Sequence, residues 1–239
     1  MKYNLRHYMV LFALAFSFNA QADGLVVDKI YHPYVLPLEQ EIEWRFTLNE
    51  KNDYLDEENH TISQRLGYGK SISDEVIIEA HIVGLRIHDA KFALQSYEVE
   101  VRWMITEQGQ YPVDWGMLFE VGKEHGEDIW ESKIGALAET EIGRTSLTAN
   151  LFTTYEYGGA IDNELEIELN LQYRYRYRPI FQPAVELYLD ESFVGLGPAL
   201  MGVHHFESQK QIKWEAGLIF GLTDDSNNHT LRIGIEYEF

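Results

Sequence analysis

Through most of the chain, apolar and polar residues take turns. Across 164–178 one set reads Leu165, Ile167, Leu169, Leu171, Tyr173, Tyr175, Tyr177, and the other Glu164, Glu166, Glu168, Asn170, Gln172, Arg174, Arg176, Arg178. Successive strand side chains point to opposite faces, so this period of two marks a strand with one apolar and one polar face. The same division separates Ile42, Trp44, Phe46 and Leu48 from Glu41, Glu43, Arg45 and Thr47. It recurs with Tyr97, Val99, Val101, Trp103 and Ile105 against Glu98, Glu100 and Arg102, and with Val113, Trp115, Met117, Phe119 and Val121 against Asp114 and Glu120. Trp214, Ala216, Leu218 and Phe220 oppose Lys213 and Glu215; Leu231, Ile233, Ile235, Tyr237 and Phe239 oppose Arg232, Glu236 and Glu238. Weaker alternation covers 60–69, 74–87, 129–142, 145–157, 180–190 and 194–206. The pattern predicts about twelve strands joined by short polar or glycine-rich turns such as 158–163 and 223–228. No helical period, linker or solenoid repeat interrupts them, so one all-β domain is expected.

Alternation fits a soluble sandwich or barrel with its apolar face inward, or a membrane barrel with that face against lipid. The aromatics favour the second. All five tryptophans, Trp44, Trp103, Trp115, Trp130 and Trp214, fall on the apolar face. Tyr155, Tyr157, Tyr173, Tyr175, Tyr177, Tyr237 and Phe239 gather at strand ends, the depth at which amphipathic rings meet lipid headgroups. Many segments are also long enough to cross a bilayer at a tilt, which takes about 9–11 residues. Finally, Phe239 closes the chain with Tyr237 two residues before it, and apolar residues recur at every second position back to Leu231. This ending resembles the C-terminal signature of bacterial outer-membrane β-barrel proteins, of the small class with roughly twelve strands. The resemblance implies a closed antiparallel transmembrane barrel with Phe239 at the periplasmic rim. It further implies contact with outer-membrane lipid and lipopolysaccharide, and recognition of the Phe239 strand by the barrel assembly machinery.

The N-terminus agrees with export. Lys2 and Arg6 precede an apolar run over 9–18, too short to span a bilayer as a helix, and 19–22 ends in a small-x-small pattern. The expected organisation is a cleaved signal peptide at 1–22, a periplasmic lead-in at 23–38 and a barrel at 39–239. The turns of the lead-in (Pro33, Pro37) are expected to pack at the periplasmic mouth or simply to extend toward the first strand. There is no cysteine, which excludes disulfides and thiolate metal sites. The 39 acidic residues against 19 lysines and arginines give a formal charge of −20 without an obvious basic patch, so nucleic acid is not an expected partner.

Strand parity assigns most of this charge to the lumen. The expected lumen network is Glu41, Glu43, Arg45, Glu98, Glu100, Arg102, Glu164, Glu166, Glu168, Arg174, Arg176, Arg178, Arg232, Glu236 and Glu238. Crowded carboxylates need counter-charge or water. Ion pairs throughout would make the bore a structural plug; water would make it a narrow conduit preferring cationic or neutral solutes. The three arginines of 174–178 could set up a transverse field or staple the strand to its neighbours. Catalysis is not expected: the run His204-His-Phe-Glu-Ser208 lacks the arrangement of a barrel lipase, and Asp89 with His88, or Asp224 and Asp225 with His229, only resemble a protease pair. His81 beside Glu79 and His205 beside Glu207 are expected to be structural, and neither a metal nor a cofactor is expected.

Overall fold

The computed structural model describes residues 27–52, 58–88, 90–207, 210–223, 226 and 228–239, without the side chains of 51, 52, 58 and 59. Twelve strands follow in order: β1 (Gln40–Asn52), β2 (Glu58–Ser71), β3 (Val76–Ile87), β4 (Ala93–Met104), β5 (Asp114–Glu124), β6 (Ile129–Ile142), β7 (Thr145–Gly158), β8 (Glu164–Tyr175), β9 (Gln182–Leu189), β10 (Val194–His205), β11 (Gln211–Gly221) and β12 (His229–Glu238). Each pairs antiparallel with the next, and β12 returns to β1 to close the barrel. Closure removes the two free edges that an open sheet would leave unpaired. Among the described residues there is no helix long and apolar enough to cross a membrane; strands are a separate matter.

The polar face is inside. Glu41, Glu43 and Arg45 are all under 5% exposed, whereas the intervening Ile42 is 46% exposed. Trp103, Trp115 and Val99 likewise lie on the outer wall. The registers align outer side chains into rows: Ile235 stands between Trp214 on one side and Trp44 on the other. Paired rings mark strand ends, with Tyr155 stacked on Tyr157, Tyr175 on Tyr177 and Tyr237 on Phe239. Stacked rings at alternate positions are what a strand's 2-residue period delivers on one face.

We call the end where β1 begins and β12 finishes the near mouth. The expected strands are present, their ends shifted by a few residues, and one shift moves an expected lumen residue. Alternation carried the eighth strand through Arg178, but β8 ends at Tyr175. Pro179 has no N–H to continue the ladder, and Arg178 instead exchanges two backbone hydrogen bonds with Phe181. Arg178 is therefore exposed at the near mouth, its guanidinium 5.4 Å from the Tyr177 ring, rather than inside the lumen.

Candidate functional site

The bore is occupied by the chain itself. The lead-in was expected to pack at the mouth or simply to extend toward the first strand; its described residues 27–38, with Glu39 after them, instead run from the near mouth up the inside of the barrel. Val27 and Ile30 are buried against Tyr188, Phe193 and Ile219 toward the far mouth. Tyr31 packs with Leu118, Leu137 and Phe152 in a second apolar cluster, its ring edge-on to Phe152 at 6.0 Å. Full burial of such side chains contributes about 1.5–3 kcal/mol each.

Polar contacts fix the height of the segment. The backbone N–H of Tyr31 donates to Asn150 Oδ1, and Asn150 Nδ2 donates back to the Tyr31 carbonyl, both at 2.8 Å. The Tyr31 hydroxyl donates to Glu100 Oε2 of β4 at 2.8 Å. Asp28 meets Arg45 at 2.5 Å and Arg65 at 3.4 Å. Lys29 reaches Glu43 at 2.7 Å and Glu236 at 2.9 Å, bridging β1 and β12. Lower down, His32 Nδ1 lies 2.5 Å from Glu139, and the Tyr34 hydroxyl donates to Asp114 at 3.0 Å. Gly116 makes room for the segment: a Cβ there would stand 3.0 Å from Pro33 Cα and Cβ. At the foot, Leu38 turns the chain with φ 63°, and Leu36 N–H donates to Glu39.

Several of the remaining lumen charges pair with each other. Arg232 on β12 binds both carboxylate oxygens of Glu186 on β9 and reaches Glu215 at 2.6 Å. Gln172 donates to Glu186, and the Tyr188 hydroxyl stands 3.0 Å from both Glu186 and the Asp28 carbonyl. Arg102 holds Glu79 at 3.0 Å, and Arg65 pairs with Glu98 and, at 3.5 Å, Glu120. Arg174 and Arg176 pair with Glu139 and Glu141 of β6, two strands away, as staples do. At the other end of β8, Glu166 keeps one carboxylate oxygen without a partner.

Of the other candidates, His81 is buried with Nε2 3.5 Å from Glu79 Oε2, and His205 and Glu207 are exposed. Ser208, Asp89, Asp224 and Asp225 lie outside the described residues. The sequence reading missed two features. One is the threading of the lead-in, foreshadowed by apolar residues at inward parity: Leu118, Leu137, Phe152 and Ile219. The other is a group of four buried carboxylates, Glu39, Glu41, Glu236 and Glu238, where the two ends of the barrel sequence meet.

An up-and-down closed barrel with an apolar exterior and a charged, ion-paired interior is the fold of outer-membrane β-barrels. No family model matches the chain, and no curated protein is similar to it in sequence. Solved structures are similar in fold. An outer-membrane channel of Pseudomonas putida F1 aligns with a TM-score of 0.59 at 10% identity, covering 89% of this chain and 98% of that one. The KdgM porin, solved with disordered oligogalacturonate, gives 0.53 at 11% identity over 83% of this chain and 99% of its own. The β domain of the Bordetella autotransporter BrkA gives 0.51 at 10% identity, covering 82% and 98%.

Proposed function

We propose that this protein is an outer-membrane pore for small cationic or neutral solutes, closed in the described state by its own lead-in. The observation that carries this reading is the threading of residues 27–39 through a charged bore. A barrel serving only as a scaffold needs no chain inside it, and its inner charges could be exchanged for packed side chains. Here the inner wall is shaped around a separate segment, held by two apolar clusters and by hydrogen bonds and ion pairs that water could replace. The apolar belt belongs against lipid, with lipopolysaccharide in the outer leaflet. The near mouth and Phe239 belong in the periplasm, where the assembly machinery would meet the last strand. The excess of lumen carboxylates over arginines and lysines favours cations by focusing negative potential in a narrow channel. The channel and porin among the similar folds agree with passage rather than catalysis, and KdgM's oligogalacturonate is an anion that this acid-rich bore would not favour.

Planar-bilayer recording tests the reading. The intact protein should give rare, small steps, and a form lacking residues 23–35 should give larger and more frequent ones. Under a salt gradient the truncated form should show a reversal potential on the cation side. Silence from a correctly folded truncated form, or anion preference, would overturn the pore and leave a non-conducting structural or interaction barrel.

A further inference from the structure

The seam where β12 closes on β1 gathers carboxylates from three places. Glu41 comes from β1, Glu236 and Glu238 from β12, and Glu39 is the residue that joins the lead-in to β1. One oxygen from each can be chosen so that all four lie within 4.8 Å of one another, and all four residues are buried. Register brings them together, because Glu41 pairs with Glu238 and both point inward.

Acidic clusters are common, and neutral partners or basic groups usually satisfy them. Glu41 is the exception here. Its side chain is 1% exposed, and neither carboxylate oxygen has a hydrogen-bond partner. It is pressed over Gly69 of β2, where a Cβ would stand 2.7 Å from Glu41 Cγ, so the neighbouring strand leaves space for the carboxylate to sit in the cluster. A buried, wholly unpartnered carboxyl beside three others has to be neutralised, by a proton or by added positive charge.

The basic groups nearby supply only part of it. Lys29 and Lys213 both bind Glu236, and Lys213 also meets Glu238. Arg102 is held by Glu79. Lys29 is shared with Glu43, so Lys213 alone serves this cluster undivided, and four ionised carboxylates keep an excess of at least two negative charges, enough for one divalent ion. A second cluster, Glu43, Glu79 and His81, differs in this respect, since Lys29, Arg45 and Arg102 already pair with its carboxylates.

We propose that Glu39, Glu41, Glu236 and Glu238 form a divalent-cation site that takes calcium. The donors are all carboxylate oxygens, the set that hard cations prefer. Calcium binds oxygen at about 2.3–2.6 Å, so ligands on opposite sides of one ion stand about 4.6–5.2 Å apart, a spread that includes this cluster. Lys213 is the competitor. Its side chain is 41% exposed, so its ammonium can swing into water when the ion arrives. Because Glu39 joins the lead-in to β1 and the other ligands belong to the barrel wall, the ion ties the foot of the plug to the closing seam.

The test is calorimetric titration of the refolded full chain with calcium chloride, in detergent free of lipopolysaccharide and after chelator treatment. One calcium per chain is expected. Glu41→Gln should weaken binding by at least about tenfold. Lys213→Gln, which removes no ligand and takes away the competing charge, should tighten it. Absence of a calcium heat in the folded wild type would overturn the site, as would Glu41→Gln binding like wild type. Should Glu41→Gln fail to fold, Lys213→Gln decides alone: unchanged or weaker binding refutes the proposal. Binding is read without reference to conductance, so its failure and the failure of the pore reading are separable.

Discussion

The side-chain amide of Asn150 closes a two-bond ring with the backbone of Tyr31, each bond 2.8 Å long. A single inward residue of β7 thereby does for the lead-in what a neighbouring strand does for a sheet: it satisfies one N–H and one C=O. Both groups are buried in the bore, so Asn150→Ala leaves two polar groups stranded. Each unsatisfied group costs about 1–3 kcal/mol. The lead-in should leave its place more often in this variant while the barrel wall stays intact. More frequent channel openings at unchanged detergent resistance of the barrel are the expected result. Asn150→Asp should be intermediate, since a carboxylate still accepts from the N–H but cannot donate to the carbonyl.

Among the described residues, Arg232 and Glu186 form the most enclosed pair between an arginine and a carboxylate, with side chains 3% and 0% exposed. The guanidinium engages both carboxylate oxygens and Glu215 as well. Arg232→Met leaves Glu186 buried with only Gln172 and Tyr188 for partners. Removing one member of a buried pair typically costs about 3–5 kcal/mol, and a urea unfolding midpoint should fall accordingly. Arg176 and Glu141 make a pair of similar length, 2.5 Å, but each side chain is about one-third exposed. Arg176→Ala should therefore shift the midpoint little, by less than about 1 kcal/mol. Equal losses in the two variants would show that burial is not what ranks these pairs.

Much of the barrel is readable from parity alone, because a period of two with one apolar face has few physical realisations. Twelve strands, the inward turn of Glu41, Glu43 and Arg45, and the outward ring of tryptophans all follow from it. Parity fails where the partner is not a strand. Leu118, Leu137, Phe152 and Ile219 stand at polar-face positions, and alternation treats them as blemishes. They are instead the inner wall's half of two apolar clusters whose other half, Val27, Ile30 and Tyr31, lies outside the strands altogether. The Arg178 error has a local cause, since parity does not register the missing N–H of Pro179. The carboxylate group at the seam was hidden by register: closure brings the first and last strands together, but alternation does not say that Glu41 stands opposite Glu238 or that Glu39 lies beside them.

Leu38 turns the chain at the foot of the lead-in. It adopts φ 63° and is 85% exposed, so its side chain contributes little packing while its backbone sits in the left-handed region. That conformation costs an L-residue with a bulky side chain about 1–2 kcal/mol and costs glycine almost nothing. Leu38→Gly should remove the strain at the turn, partly offset by the greater freedom of glycine in the unfolded chain. A small rise in the unfolding midpoint is expected, and Leu38→Val, β-branched and worse at positive φ, should lower it. A fall with glycine would mean that the leucine side chain has a role at the mouth.

Gly116 offers a way to move the lead-in without touching its anchors. It lies on the inner face of β5, and a Cβ built there would approach Pro33 Cα and Cβ to 3.0 Å and its carbonyl oxygen to 3.2 Å. Those atoms belong to backbone and ring, so no side-chain rotation can relieve the contact. Gly116→Val adds further methyls to the same place, an overpacking that typically costs about 1–3 kcal/mol. The barrel wall is pinned by ladders on both sides of β5, to β4 and β6. The lead-in, anchored by side-chain contacts, is the part able to yield. Gly116→Val should therefore raise open probability in bilayers and make a protease site engineered into 27–35 cleavable in the folded barrel. A variant that loses barrel stability while its lead-in stays protected would locate the clash in the wall instead, and the plug would then be as rigid as the strands around it.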